Sequence, residues 1–152
     1  MGRCVQRLSA MSLPMTTLEA FAAIPLAAVC SDQTFGKDEA RVIREQLLGH
    51  TAYQEMEPYA FGLLISGLLK RFREESWQGL IASAAPLLSP EQQEMAFALS
   101  CQLVHCDRIV APQEKQFLAV LAEMLQFTTA RAEQILEVCD LLSRDFVIEQ
   151  AD

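Results

Sequence analysis

Four acidic residues stand out because they recur at the same spacing in both halves of the chain. Asp32 and Glu39 form one Asp-x6-Glu pattern, and Asp107 and Glu114 form a second one 75 positions later. If both segments lie together in the fold, four carboxylates could surround a hard divalent cation such as Ca²⁺ or Mg²⁺, which prefers oxygen ligands. The alternative is structural, since an aspartate can bond turn amides and a glutamate favours the positive start of a helix. Each loop offers too few oxygen ligands for an EF-hand.

Cys30, His105 and Cys106 offer a softer set of ligands. The same shift of 75 places Cys30 opposite His105 and Ser31 opposite Cys106. Two thiolates and an imidazole could bind zinc, and thiols also react with tellurium oxyanions. The alternative is a set of small core cysteines at helix ends, because the paired CxxC spacing of a structural zinc site is missing.

Other chemistry has little support in the sequence. The only histidines are His50 and His105, neither stands in a motif with a recognisable nucleophile, and no Gly-rich phosphate loop occurs. We therefore expect that the protein is not an enzyme. Lys and Arg total 12 against 20 Asp and Glu, a net charge of −8, which disfavours DNA and RNA as partners.

Cysteine usage and hydropathy favour the cytoplasm. The 5 cysteines are odd in number and lack a CxxC pair, as in proteins of a reducing compartment. The apolar run 21–29 resembles part of a secretory signal, but Glu19 borders it, Pro25 interrupts it and no cleavage site follows. The run 59–69 is too short to span a bilayer.

Helix-start signals and helical periodicity predict an all-α fold with a compact bundle of about seven helices. Thr16 and Glu19 have the spacing of a capping box, and Ser89 and Gln92 repeat it. Residues 1–15 lack any periodicity, so we expect a flexible lead-in there and a single domain over 16–152. The predicted helices cover 17–29, 37–48 closed by a left-handed Gly49, 58–73, a short fourth helix that contains residues 77–84 and stops around Pro86, 90–105, a sixth from Pro112 and a seventh capped by Thr128 or Thr129.

Two expectations concern packing. The helix over 58–73 is apolar on nearly all sides until its basic end, which predicts a central position. In the seventh helix, the spacing predicts that Ile135, Leu136, Cys139 and Leu142 point inward.

The acidic patterns belong to a longer internal repeat. When residues 20–43 are laid over 95–118, apolar positions match and four residues are identical: Ala23 with Ala98, Val29 with Val104, Asp32 with Asp107, and Glu39 with Glu114. The repeating unit is a helix, an acidic loop and a second helix. We therefore expect a pseudo-twofold arrangement in which the first two helices pair as the fifth and sixth do, around the third.

This skeleton of a buried helix, Asp-x6-Glu and an apolar pair after the glutamate resembles the TerB-like family of tellurite resistance proteins. Members of that family typically carry an Asp-Gly turn in each half, whereas this chain has Gln33 and Arg108 at the glycine positions. The resemblance implies an accessory, non-enzymatic module of bacterial tellurite or stress response, with a divalent metal in the acidic loops. The alternative is a metal-free protein-interaction scaffold whose acidic surface engages a protein partner, and the sequence leaves the oligomeric state open.

Overall fold

The computed structural model describes residues 14–30, 37–105 and 111–149, and every regular element in these ranges is helical. Seven α-helices and one 3₁₀ turn lie in this part of the chain, which confirms the predicted all-α bundle. In chain order they are α1 (Thr17–Cys30), α2 (Lys37–Leu47), α3 (Thr51–Gln54), α4 (Pro58–Ala84), the 3₁₀ turn η1 (Ala85–Leu87), α5 (Pro90–Val104), α6 (Pro112–Met124) and α7 (Thr129–Ser143). No helix in the described ranges combines the length and apolar character needed to cross a membrane.

The predicted helix starts are confirmed by their capping contacts. Thr16 Oγ1 accepts a hydrogen bond from the Glu19 amide at 3.2 Å, and the Glu19 carboxylate accepts one from the Thr16 amide at 3.4 Å. Ser89 and Gln92 form the same reciprocal box at the start of α5. Thr128 caps α7 by accepting from the Arg131 amide. These side chains satisfy amides that a helix start leaves without a partner.

The central element is α1. Every side chain from Ala20 to Ala28 is buried, and the helix continues through Pro25, which is buried with them. It packs mainly against α4 and α5. The expectation that the helix beginning at Pro58 is central was therefore wrong. Alanines on several sides of α1 let neighbouring helices approach it closely, which explains why it takes that position.

The predicted third and fourth helices form one element, α4, with a break at Ser76. Ser76 has a φ of 65° and a ψ of 169°, and its hydroxyl accepts a hydrogen bond from the Gly79 amide at 3.4 Å. It therefore caps a second helical segment that begins where the sequence predicted one. The first segment lies at the surface, with Tyr59 77% and Leu63 56% exposed.

The repeat is visible in the register of its second helices. α2 begins at Lys37 and α6 begins at Pro112, positions separated by the predicted shift of 75. Ile43 and Leu118, which the repeat equates, are both 1% exposed. The first helices of the two units, α1 and α5, pack against each other. The superposition of the complete units stays a prediction, since their loops lie outside the described residues.

Two local predictions were wrong. Gly49 does not take the left-handed conformation, and its amide instead donates to the carbonyl of Gln46 as α2 ends. Leu142 does not point inward but is 72% exposed. By contrast, Cys139 is buried, and Ile135 and Leu136 pack against the core.

Candidate functional site

Glu39 and Glu114 occupy equivalent positions, as the third residue of α2 and the third residue of α6. Both side chains are half-buried, and Oε2 of Glu114 is buried. Each of the two residues takes part in a hydrogen bond or another close interaction. Asp32 and Asp107, which complete the two acidic patterns, lie outside the described residues. The glutamates are thus equivalent in the fold, while the convergence of four carboxylates stays a prediction.

Two of the three residues of the softer ligand set, Cys30 and His105, lie in the part of the chain that the structure describes. Cys30 is the last residue of α1 and is 2% exposed, while Cys106 lies outside the described residues. His105 directly follows α5 as its C-cap and is 8% exposed, with Nδ1 2.6 Å from the carbonyl oxygen of Cys101. Because a carbonyl only accepts, Nδ1 carries a proton and donates it there. Burial of the Cys30 thiol disfavours its reaction with large reagents in the native protein.

Within 14–30, 37–105 and 111–149, no group of three His, Cys, Asp or Glu side chains is positioned to hold a metal ion. Both predicted ligand sets include residues beyond those ranges. The two metal hypotheses therefore stay predictions.

A pair of buried thiols joins α5 to α7. Cys101 is fully buried and Cys139 is 8% exposed, and their side chains are hydrogen bonded to each other. That hydrogen bond, together with burial, raises the pKa of the Cys101 thiol above its ordinary value. The same hydrogen bond lowers the pKa of Cys139, although burial acts in the opposite direction. Cys139 Sγ also lies 3.8 Å from the Ala98 carbonyl oxygen. These contacts hold α7 close to α5 around Cys101 and Cys139.

An open groove lies on the outer side of this contact, and we call it the α5–α7 groove. Its volume is about 560 Å³, and its apolar lining consists of Met95, Ala98 and Leu99 from α5 and Ile135, Val138 and Leu142 from α7. An adjoining cavity of about 270 Å³ extends it to His105 and Ser143. The two cavities share Gln46, Gln102, Cys139 and Leu142, so together they form one continuous depression.

The rim of the α5–α7 groove is polar but carries little charge. The amides of Gln46, Gln102 and Gln134 stand beside the apolar lining, and His50 lies at the α2 side. Arg131 also lines the groove and forms an ion pair with Glu94. No Asp or Glu is among the lining residues of either cavity. This site can therefore bind an apolar segment and offer hydrogen bonds to its backbone.

The chain was also compared with known proteins. It matches no family model, no curated protein and no solved structure. The resemblance to TerB-like proteins therefore stays a prediction, and the groove is the main basis for a functional argument.

The sequence contains a signal for the groove that the predicted inward stripe of α7 does not include. Apolar residues of α7 stand at 135, 136, 138, 139, 141 and 142, which is a wider arc than one core-facing stripe needs. Three of them are exposed, Val138 at 55%, Leu141 at 62% and Leu142 at 72%. The apolar arc of α7 is therefore wider than the part of the helix that the core covers.

Proposed function

We propose that this protein is a helical interaction module that binds an apolar segment of a protein partner in the α5–α7 groove. The observation that carries the proposal is the groove itself, an open depression with exposed apolar walls on a chain of net charge −8. Met95 and Val138, on opposite walls, are 43% and 55% exposed. Exposed apolar side chains that line a concavity and are bordered by polar groups are typical of binding sites.

The dimensions of the groove limit the partner. α5 and α7 run side by side in the same direction, because Glu94 pairs with Arg131 near their starts while His105 and Ser143 at their ends line one cavity. From Met95 to His105 the groove is about 15 Å long at about 1.5 Å per helical residue. It fits about three turns of an amphipathic helix or about five extended residues.

This proposal keeps the predicted interaction scaffold but changes its surface. The sequence favoured an acidic surface as the contact region, whereas the groove is apolar and lacks carboxylates among its lining residues. The acidic residues elsewhere keep the protein soluble and repel unrelated acidic chains. Specificity then comes from the shape and apolar pattern of the bound segment.

The test is selection of peptides that bind the purified protein, followed by measurement of their affinity for matched variants. Leu142 lines the groove and is 72% exposed, while its neighbour Leu141 is 62% exposed and is not a lining residue. We expect Leu142→Lys to weaken binding of the selected apolar peptides at least about tenfold, and Leu141→Lys to leave it within about threefold. Equal affinity for the Leu142→Lys protein and the wild type would reject the groove as the binding site.

A second candidate function is binding of a divalent cation by the acidic patterns. It is favoured by the equivalent positions of Glu39 and Glu114 at the starts of two helices in register. We propose that these glutamates, together with Asp32 and Asp107, bind Ca²⁺ or Mg²⁺. Such a site would agree with the tellurite-response role that the TerB-like resemblance implies.

Calorimetry tests the cation site directly. We expect Ca²⁺ or Mg²⁺ to release or absorb heat with the wild type and to raise its melting temperature, because a ligand of the folded state stabilises it. The double change Glu39→Gln and Glu114→Gln should abolish both effects, while Glu133→Gln on the exposed side of α7 should preserve them. A wild-type protein that shows neither effect with Ca²⁺, Mg²⁺ or Zn²⁺ has no such site.

A further inference from the structure

The segment that follows α7 exposes three consecutive apolar side chains. Phe146, Val147 and Ile148 are 88%, 71% and 77% exposed, and residues 145–149 form no helix. Three adjacent apolar residues in water are unfavourable unless another surface covers them. We call residues 145–149 the apolar segment and ask which surface fits it.

The apolar segment matches the α5–α7 groove in length. Five extended residues span about 16 Å at about 3.3 Å each, close to the groove length of about 15 Å. In an extended chain Phe146 and Ile148 point to one side and Val147 to the other. Two side chains of the segment can therefore enter the groove together, while the glutamine amides on the rim can bond its backbone.

The two surfaces also match in charge. The apolar segment has the acidic residues Asp145 and Glu149 at its two ends. The groove lining has no carboxylate, and its charged residue, Arg131, also pairs with Glu94, which is not a lining residue. On a chain with a net charge of −8, an apolar surface without carboxylates in its lining repels such a segment less than the acidic surface elsewhere does.

The path of the chain favours a groove on another molecule. Arg144 has an extended backbone with a φ of −69° and a ψ of 143°, and its guanidinium pairs with Asp140 at 2.9 Å. α7 is itself one wall of the groove, so the segment would have to reverse direction at once to enter its own groove. In the structure the segment does not occupy that groove, because Phe146, Val147 and Ile148 all stay exposed.

We propose that the apolar segment of one copy occupies the α5–α7 groove of a second copy, and reciprocally, so that the protein forms a twofold dimer. This inference rests on the proposed function of the groove, and it identifies the bound segment as the chain's own. Reciprocal exchange closes the assembly, so it stops at two copies rather than continuing into a fibre.

Sedimentation measurements with paired variants test the dimer. We expect the wild type to dimerise, and Phe146→Glu and Leu142→Lys each to raise the dissociation constant at least about tenfold. The matched changes Val147→Glu and Leu141→Lys should alter it by less than about threefold, because those side chains lie off the contact. All four positions are exposed, so circular dichroism should show folded protein throughout. A wild type that remains monomeric at about 100 µM, or a dimer that Phe146→Glu leaves intact, overturns the proposal.

Mixing the two weakened variants gives a sharper result. The Phe146→Glu protein keeps a working groove and the Leu142→Lys protein keeps a working segment, so an equal mixture should form a heterodimer through one intact contact. Each variant alone should stay monomeric at the same concentration. A mixture without heterodimer overturns reciprocal exchange.

A synthetic peptide of residues 144–149 separates this inference from the proposed function. The peptide should bind the Phe146→Glu protein and should not bind the Leu142→Lys protein, and a scrambled peptide should bind neither. If selected peptides need Leu142 but the 144–149 peptide does not bind, the groove has another partner and only the dimer proposal fails. If no peptide depends on Leu142, both proposals fail. The wild type could also be monomeric while the 144–149 peptide binds the Phe146→Glu protein. That result would mean that the segment occupies the groove of its own chain, which overturns exchange between two copies.

Discussion

Tyr53 links the short helix α3 to the central helix through one buried hydroxyl. Its side chain is 2% exposed, and the hydroxyl donates to the carbonyl oxygen of Leu18 at 2.6 Å. The ring also packs near Phe21 and edge-on against Phe61. One residue thus connects α1, α3 and α4, although nothing in the periodicity around it predicted a helix there.

We expect Tyr53→Phe to lower the free energy of unfolding by about 1 kcal/mol, because it removes a buried hydrogen bond while it retains the ring. Tyr59→Phe is the matched control, since Tyr59 is 77% exposed, and should change stability by less than about 0.5 kcal/mol. Urea unfolding measures both. Equal stability of the wild type and Tyr53→Phe would show that the hydrogen bond contributes nothing.

The same residue should make stability depend on alkaline pH. Burial raises the pKa of Tyr53 above its ordinary value. The unfolded chain releases the phenol proton at about pH 10, while the folded chain still holds it. The contribution of the Tyr53 hydroxyl to the free energy of unfolding is therefore fully present below about pH 10 and is lost as the pH rises further. Above that pH, we expect the stability of the wild type to fall more steeply than that of Tyr53→Phe. Parallel curves of stability against pH would contradict a raised pKa of Tyr53.

At the scale of elements, the break in α4 shows what residue spacing could and could not predict. The spacing correctly predicted a helical segment beginning near Trp77, but it did not predict that Ser76 adopts a positive φ. A φ of 65° with a ψ of 169° belongs to a region occupied almost only by glycine, so a serine at this position is no local sign of it. That conformation exists because the packing of both segments requires it.

We expect Ser76→Gly to stabilise the protein by about 1 kcal/mol. Relief of the strained backbone is worth about 1–3 kcal/mol, whereas replacing a serine cap by glycine costs only a few tenths. Ser83→Gly is the control, because this exposed serine lies in the helical part of α4. It should destabilise the protein by about 0.5 kcal/mol. Thermal unfolding of both variants should show shifts of opposite sign, and a loss of stability in both would argue against strain at Ser76.

At the scale of the whole molecule, the sequence predicted the class of fold better than it predicted which helix is central and which helices lie at the surface. Capping boxes and apolar periodicity are local, so they identified most helices. The choice of central helix is not local, because residues 20–30 and 58–69 both lack charged side chains. Burial differs between them because α1 contacts helices of both repeat units, whereas the first part of α4 lies at the edge. The groove escaped prediction for the same reason, since it depends on how far α7 lies from α5.

Hydrogen exchange should distinguish the central helices from the peripheral ones, because backbone amides should exchange more slowly in the central helices. Amides are protected according to the free energy of the opening that exposes them, and the most buried helices open only on global unfolding. We expect the slowest exchange in α1 and the adjoining part of α5, where Ala20, Ile24 and Phe97 are fully buried. Exchange should be faster in residues 58–67 of α4 and fastest in 144–149. Mass spectrometry of the exchanged protein measures this for each segment, and comparison with the Phe146→Glu variant separates protection by the fold from protection by a second copy. Because α1 and the first part of α4 are alike in apolar content, equal protection of the two would mean that composition, rather than position in the bundle, sets local stability.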